Sequence, residues 1–310
     1  MRRRALGRWV GAALLLRAAC AAAAAPEPLA AEEVAPGVFV YEAPIALAGP
    51  ANLGAIANLG FVIGRDAVAV IDTGGSLAAG QRLAAAIRAR TDRPVRWVIN
   101  THVHPDHVLG NAAFQGPDVT FVGHRNLPEA LAARAEGYLV SNRALVGEAF
   151  AGTRIVPPTR SVESKFDIDL GGRILRIEAW PTAHTNTDLT VLDIETATWF
   201  LGDLLFVRHI PALDGRLQGW ISTLRSLRAR PAKRVVPGHG PASVAWPDAV
   251  APIERYLLVL ENDVRLAIHD GETMRQASER AARSEADAWS LFDAFNARNA
   301  TTAFQELEWE

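Results

Sequence analysis

Hydrophobic residues in the first third of the chain come in short runs bounded by glycine or polar residues, a pattern typical of β-strands. Three such runs cover residues 37–41, 59–63 and 67–71. After Asp72 the spacing lengthens to the helical period through residue 88, and Pro94 then opens a further strand at residues 95–99. The pattern predicts a strand–helix–strand unit. His102 follows its second strand, where the active sites of such units gather.

The second half of the chain repeats this plan. A strand predicted at residues 198–201 ends in Gly202-Asp203, and a helix follows at residues 220–227. A second strand at residues 235–236 ends in the run Pro237-Gly238-His239-Gly240. In each half, an aspartate closes one strand and a histidine closes the next, with a helix between them. We infer two related halves that face one another, with these polar groups at the seam.

Helical and hairpin patterns fill the rest of the chain. Residues 128–150 have an apolar face at helical spacing. Two β-runs at residues 166–170 and 174–178 flank Gly171-Gly172 and predict a hairpin. From about residue 247 the chain turns helical again, over residues 253–268 and 272–295. We interpret these C-terminal helices as packing elements.

The first 25 residues differ from the remainder. Arginines are followed by a short apolar run and then by small residues with several A-x-A cleavage options. This predicts a secretory signal peptide over residues 1–25, too short and too interrupted to span a membrane. Arg3-Arg4 resembles a twin-arginine export signal weakly, and ordinary secretion remains an alternative. We therefore expect a periplasmic or secreted protein with one large domain over residues 33–310, and no membrane span after removal of the signal.

Net charge and cysteine content argue against some binding partners and some kinds of active site. Removal of the signal takes away five arginines and no acid, which changes the formal net charge from −2 to about −7. An acidic chain is a poor partner for nucleic acid, because phosphate binding needs clustered lysine and arginine. The only cysteine, Cys20, lies in the signal. The mature chain therefore has no thiolate to serve as a metal ligand or nucleophile.

The densest group of metal-ligand residue types lies directly after the strand at residues 95–99. His102, His104, Asp106 and His107 supply four such groups within six residues, and Pro105 stiffens the turn between them. In a tight loop, the first two can reach one ion while the last two reach another. Two-metal hydrolysis needs nitrogen and carboxylate ligands that hold ions roughly 3.5–4 Å apart. The spacing therefore predicts a two-metal site.

Three further residues are candidates to complete two coordination shells. His184 follows a predicted strand at residues 174–180 and is a candidate third ligand for the first ion. Asp203 ends an apolar strand, where an unpaired carboxylate would be costly, so a bridging role explains it well. His239 lies between two glycines, which leave the backbone room to orient the imidazole.

Taken together, T-H-x-H-x-D-H at residues 101–107, a later His-Thr, a Gly-Asp and a G-H-G resemble the metallo-β-lactamase superfamily, over essentially the whole mature chain. The resemblance implies an α+β fold: a four-layer αββα sandwich of two pseudo-symmetric halves, followed by the C-terminal packing helices. It implies His102, His104 and His184 on one ion, Asp106, His107 and His239 on the other, and Asp203 as the bridge. It also implies that Asp72 orients a ligand histidine.

Several branches of the superfamily fit poorly. The lactamase class with a cysteine ligand is excluded by the absence of a mature cysteine. The flavodiiron branch carries a glutamate where this chain has His104, so zinc is favoured over iron. The antibiotic-hydrolysing classes lack a bridging carboxylate at the position that Asp203 occupies in this chain, so Asp203 favours a glyoxalase-like arrangement. A glyoxalase II would have a basic glutathione-binding cluster in its C-terminal helices, and residues 253–310 show none.

Longer sequence segments around the candidate ligands resemble those of the quinoprotein relay system zinc metallohydrolases, relatives of the sulfur-oxidation protein SoxH. These segments are residues 52–61, 199–206 and 235–241. The resemblance implies a functional link to a periplasmic quinoprotein dehydrogenase and leaves the substrate open.

The expected activity is zinc-dependent hydrolysis of a small-molecule thioester, lactone or other ester. Water between two Zn²⁺ ions, its pKa lowered towards about 7, attacks the carbonyl as hydroxide. Asp106 is the catalytic candidate that holds the nucleophile or relays its proton. Three alternatives remain: a non-catalytic metal-binding accessory protein, an iron-dependent sulfur dioxygenase, and a true β-lactamase. His209 and Arg208, close behind Asp203, are interpreted as exposed loop residues.

Overall fold

The computed structural model describes residues 26–310, and the signal peptide predicted for residues 1–25 lies outside them. The strands are β1 Ala31–Ala35, β2 Val38–Tyr41, β3 Leu59–Ile63, β4 Val68–Ile71, β5 Val95–Ile99, β6 Thr120–His124, β7 Arg160–Val162, β8 Lys165–Asp169, β9 Ile174–Ala179, β10 Leu189–Asp193, β11 Thr198–Phe206, β12 Arg234–His239 and β13 Val244–Ala245. The α-helices are α1 Leu77–Arg88, α2 Pro105–Val108, α3 Leu127–Val146, α4 Leu217–Arg228, α5 Ala251–His269, α6 Met274–Arg280 and α7 Phe292–Leu307. Short 3₁₀ helices cover Asn111–Phe114, Gly147–Phe150, Asp248–Val250 and Arg283–Ala288.

Two sheets form the centre of the molecule. The first has the order β1-β2-β3-β4-β5-β6-β7 and the second β13-β12-β11-β10-β9-β8. Alternate side chains of β4 project from the two faces of the first sheet. Ala69 and Ile71 pack between the sheets, while Val68 and Val70 pack outward with Leu83 of α1. Helices α4 to α7 cover the outer face of the second sheet. The layers are therefore αββα, as predicted.

Each sheet contains one parallel strand–helix–strand unit. Strands β4 and β5 are parallel and joined by α1. Strands β11 and β12 are parallel and joined by α4. Since both units place the carboxyl ends of their strands at one edge of the sandwich, the residues that follow β5 and β12 meet there. The predicted pair of related halves is confirmed in this respect.

Three elements differ from the sequence predictions. Strand β1, Ala31–Ala35, has no counterpart among the strands predicted from the sequence. The strand predicted to end at residue 201 continues to Phe206, with an irregular register from Gly202 onward. Asp203 therefore lies within β11 and does not close it.

The helix predicted over residues 272–295 is also wrong, because the chain breaks it twice. Ala282 and Leu291 adopt left-handed backbone conformations at φ 56° and 60°, which end a right-handed helix. The result is α6, a 3₁₀ turn and a separate α7. Among residues 26–310, none of the helices has the length and apolar character needed to cross a membrane.

Candidate metal centre

The residues singled out in the sequence come from four places in the fold. His102 and His104 lie in the loop after β5, and Pro105 starts the single turn of α2 that carries Asp106 and His107. His184 lies between β9 and β10, Asp203 within β11, and His239 at the end of β12. Both parallel units thus deliver ligand-type side chains to the same edge of the sandwich.

The structure brings all seven predicted residues together in two groups. One group contains His102, His104, His184 and Asp203, and the other contains Asp106, His107 and His239. Within each group, one ligand-type atom from every member lies within 4.8 Å of the others. The first group holds Asp203 with the three histidines that the resemblance assigned to one ion, and the second group holds the three residues that it assigned to the other.

Asp203 lies between the two groups and contacts both. Its Oδ2 is 3.6 Å from Nε2 of His102 and 3.4 Å from Nε2 of His184. Its Oδ1 is 3.2 Å from Nε2 of His107, and Oδ2 is 3.4 Å from Nε2 of His239. A carboxylate has two oxygens, so in this position it can bridge two cations.

Several buried polar atoms here have no hydrogen-bond partner in the described protein. They are Nε2 of His102, Nε2 of His107 and Oδ1 of Asp203. In addition, Nδ1 of His104 faces Nε2 of His184 at 3.0 Å. The other nitrogens of these two rings contact Asp214 Oδ2 and the Ala212 carbonyl, which accept hydrogen bonds from them. Two acceptor nitrogens therefore face each other, an arrangement that a cation between them would stabilise. The donor set fits metal ions.

Asp72 orients histidines of both groups. Its Oδ2 accepts a hydrogen bond from Nδ1 of His107 at 2.8 Å and another from the Thr101 hydroxyl at 2.7 Å. Since that hydroxyl donates to Asp72, its oxygen can accept from Nδ1 of His102, 3.0 Å away. Both histidines are thereby held with Nε2 directed at the centre. The prediction concerned one histidine, and the structure shows a second reached through Thr101.

Burial and neighbouring charge lower the pKa of some of the histidines and raise the pKa of others. Burial, helped by the charge on His107, lowers the pKa of His102 well below its usual range. Burial likewise lowers the pKa of His184 to about 3. Burial also opposes charge on His107 and His239. Nearby carboxylates, Asp203 foremost, nevertheless raise the pKa of His107 well above normal and that of His239 to about 9. Protons on these two histidines offset the carboxylates, and a bound cation would displace them.

Residues 54–239 match the family profile of the metallo-beta-lactamase superfamily. The chain belongs to this superfamily. Its mixed α/β sandwich and its paired histidine–aspartate groups agree with that membership, which marks the protein as a metallohydrolase type with candidate metal-binding groups. No protein among the curated sequences matches the chain.

Solved structures support the superfamily fold. The stereoselective inverting sec-alkylsulfatase Pisa1 from Pseudomonas sp. superposes with a TM-score of 0.69 at 14% identity, over 89% of this chain and 50% of the sulfatase. The chain thus spans about half of that enzyme's length. A metallo-beta-lactamase from Pontibacter korlensis gives a TM-score of 0.59 at 21% identity, over 74% of this chain and 98% of its own. At these identities the likeness shows the fold alone.

Asp214 is a site residue that the sequence analysis did not find. Its Oδ2 accepts hydrogen bonds from Nε2 of His104 and from Arg134, both at 3.1 Å, and its Oδ1 accepts from Arg298 at 3.0 Å. Despite partial burial, these groups hold the pKa of Asp214 well below its usual range. Asp214 therefore orients His104 as a charged acceptor, much as Asp72 orients His107.

The interpretation of His209 as an exposed loop residue is wrong. His209 is buried, and its ring lies 4.8 Å from that of His239. Its Nδ1 is 2.6 Å from the carbonyl of Ile210, so Nδ1 carries the proton and Nε2 is an acceptor. Arg208 is exposed, as expected, and pairs with Glu42.

A cavity of about 430 Å³ opens onto the centre. Its walls include His104, Asp106, Asp203 and His239 from the two groups. The remaining walls include His209, arginines and apolar side chains. A volume of this size fits a small organic molecule, and its floor is the candidate metal centre.

Proposed function

We propose that the protein is a dinuclear zinc hydrolase that cleaves an activated carbonyl in a thioester, lactone or other ester. The observation that carries this proposal is the position of Asp203. Its two oxygens lie within 3.6 Å of histidine nitrogens from both groups. A carboxylate shared in this way favours a pair of ions over a single one.

The donor set supports zinc. Five imidazoles and two carboxylates surround the centre, and nitrogen-rich sites of this kind suit Zn²⁺. His104 occupies the position where the flavodiiron branch carries a glutamate, so the chain departs from that iron-binding pattern. Iron is the less favoured metal.

The mechanism assigns separate tasks to metal and protein. Two zinc ions would polarise the substrate carbonyl and make water nucleophilic near neutral pH. Asp106 borders the cavity, with Oδ2 3.3 Å from Nε2 of His239. Although burial opposes its charge, His107 and His239 lower the pKa of Asp106 to about 2. This pKa belongs to the metal-free protein, in which both histidines carry protons. With zinc bound, the cations would favour the ionised carboxylate in their place, so Asp106 is an ionised acceptor at neutral pH in either state.

Asp106 takes the proton of the attacking water as the oxygen bonds to the acyl carbon. The bond from the acyl carbon to the leaving oxygen or sulfur then breaks. The proton passes to the leaving atom, so an ester gives an acid and an alcohol, a thioester gives an acid and a thiol, and a lactone gives a single hydroxy acid. Asp203 and the five histidines keep the centre in place throughout.

We also propose that the protein works outside the cytoplasm, alongside a periplasmic quinoprotein dehydrogenase. The predicted signal peptide and the three segments that resemble quinoprotein relay system metallohydrolases support this part of the proposal. A small-molecule substrate is the expected partner at the site.

The proposal is tested with the zinc-loaded protein against a thioester, an acyl lactone and a chromogenic β-lactam. We expect turnover of the thioester or lactone and little of the β-lactam. His104→Ala should lose metal and turnover together, because His104 belongs to the first group. His269→Ala is the control, since His269 is exposed on α5. Full activity in a metal-free His104→Ala protein would overturn the proposal. The proposal would also be overturned if the protein with both zinc ions bound hydrolysed none of the three substrates.

A further inference from the structure

Two arginines from distant parts of the chain meet at one aspartate beside the metal centre. Arg134 lies on α3 and Arg298 on α7, and both donate to Asp214, at 3.1 Å and 3.0 Å. We call these two residues the arginine pair. Two guanidinium groups contact the single carboxylate of Asp214, so these three side chains together carry a net positive charge.

The arginine pair is open to a ligand. The Arg134 side chain is 34% exposed and that of Arg298 is 68% exposed. Both border the cavity that contains His104 and Asp106. Guanidinium groups have five N–H donors each, so the donors that do not contact Asp214 can bind an anion.

The distance from the pair to the metal centre is short. Asp214 contacts the arginines on one side and Nε2 of His104 on the other, at 3.1 Å. His104 in turn presents Nδ1 to the first metal group. One carboxylate and one imidazole therefore separate the arginine pair from that group. A ligand in the cavity can therefore contact both the arginine pair and the first group, if a short chain joins its two polar ends.

The mouth of the same cavity is apolar. Leu47 and Leu145 border it although they are 56% and 52% exposed. Ile56 and Phe295 continue the apolar wall inward. Large aliphatic side chains left in solvent beside a pocket indicate contact with an apolar ligand portion.

We propose that the arginine pair binds the non-reacting anionic group of the substrate, so that the substrate is an amphiphilic anion. Its carboxylate, sulfonate or sulfate contacts Arg134 and Arg298, its apolar portion lies against Leu47 and Leu145, and its ester or thioester carbonyl reaches the metal centre. The inference rests on the proposed hydrolase function. Charge-assisted bonds from guanidinium to an oxyanion are strong and directional.

The kinetic test uses three 4-nitrophenyl esters of an eight-carbon acid that differ only at the far end. One ends in a carboxylate, one in its neutral methyl ester and one in a trimethylammonium group. We expect the carboxylate ester to have the lowest KM. Arg298→Gln and Arg134→Gln should raise that KM about ten-fold relative to the KM that the same variant has for the neutral ester, as loss of a charged hydrogen bond implies. Arg298→Lys should restore part of the difference.

Arg143→Gln is the matched control, since Arg143 is an exposed arginine on α3 that does not border the cavity. Zinc content is measured in every variant. Equal KM values for the three esters would overturn the proposal. It would also be overturned by loss of zinc from Arg298→Gln with an unchanged ratio between anionic and neutral esters, because the pair would then act only through His104.

A binding measurement separates this inference from the proposed hydrolysis. Octanesulfonate, below its micellar concentration, is titrated calorimetrically into the zinc-loaded protein and its arginine variants. We expect one site, weakened about ten-fold by Arg298→Gln and unaffected by Arg143→Gln. If no ester is cleaved with both ions bound, the hydrolase proposal fails and this titration alone decides the inference. Equal binding to wild type and both arginine variants would then refute it.

Discussion

At the scale of single residues, the carboxylates behind the ligands determine how the imidazoles face the centre. Asp72 accepts hydrogen bonds from His107 and, through Thr101, orients His102. Asp214 does the same for His104. Asp72 adopts a left-handed backbone conformation at φ 58°, which aspartate and asparagine tolerate better than most residues. The substitution that isolates its charge is therefore Asp72→Asn.

We expect Asp72→Asn to weaken zinc binding about 10- to 100-fold, because partners that orient metal-ligating histidines typically contribute that much to affinity. The measurement is competition with a chromophoric chelator. Asp118→Asn, at an exposed carboxylate paired with Arg96, should leave affinity unchanged. Wild-type affinity in Asp72→Asn would show that His107 is held without its carboxylate.

Zinc affinity should also depend on pH, with a sign that follows from the protons on His107 and His239. In the metal-free protein the pKa of His239 is raised to about 9, so zinc must displace its proton at neutral pH. Affinity therefore rises as pH increases from 6 to about 9. Chelator competition across this range, corrected for the chelator's own protonation, measures the trend. An affinity independent of pH would contradict it.

Residue-level prediction succeeded where ligand residue types are close in sequence and failed where partners are distant. His102, His104, Asp106 and His107 share one short loop, so their spacing was informative. Asp214 lies 110 residues from His104 and has no motif around it. The ring of His209 packs against His239 and Phe295, residues far from it in the chain, and local sequence does not reveal such contacts.

At the scale of elements, the close approach of β11 and β12 positions the carboxylate of Asp203. Gly238 of β12 lies against Asp203 of β11, and an added Cβ would overlap Oδ1 of that carboxylate. Glycine is required here for space, and the neighbouring backbone of Gly202 leaves no room for adjustment. The G-H-G run thus leaves space for the carboxylate of Asp203 and also leaves the backbone room to orient the imidazole of His239.

Gly238→Ala should displace Asp203 and reduce turnover about 100-fold or more, since small misplacements in a catalytic centre have effects of this size. Zinc content should fall below that of the wild type. Gly137→Ala is the control, because Gly137 lies on α3 with no atom near its added Cβ, and alanine there should stabilise the helix by about 1 kcal/mol. Two bound zinc ions and full turnover in Gly238→Ala would refute this account of β12.

Element types were largely predictable from periodicity, and the exceptions have physical causes. The extension of β11 past Asp203 depends on pairing with β12 at Phe206 and His239, a contact between segments far apart in sequence. The break after α6 falls at Ala282 and the next at Leu291, residues that ordinarily favour a continuing helix. No glycine or proline marks either position.

At the scale of the whole molecule, the C-terminal helices hold the loop that supports the first metal group, so they are more than packing elements. Asn299 of α7 accepts a hydrogen bond from the backbone of Leu213 at 2.8 Å and donates to the Pro211 carbonyl at 2.7 Å. The same loop contains the Ala212 carbonyl that orients His184, and it carries Asp214. The C-terminal region thereby reaches the metal centre.

Asn299→Ala should lower the free energy of unfolding by about 1–3 kcal/mol, because it leaves buried backbone groups without partners. It should also weaken zinc binding through the loosened loop. Urea unfolding and chelator competition measure the two effects. Asn262→Ala, at an exposed position on α5, should change stability by no more than about 0.5 kcal/mol. Unchanged zinc affinity in Asn299→Ala would show that the C-terminal helices do not support the metal site.

Elemental analysis of the purified protein after reconstitution tests the central claim most directly. The two groups that share Asp203 predict two equivalents of zinc per chain. Asp203→Asn, which removes the shared charge, should reduce that number while His269→Ala leaves it at two. A single iron, or no retained divalent metal in a folded wild-type protein, would contradict the dinuclear zinc centre.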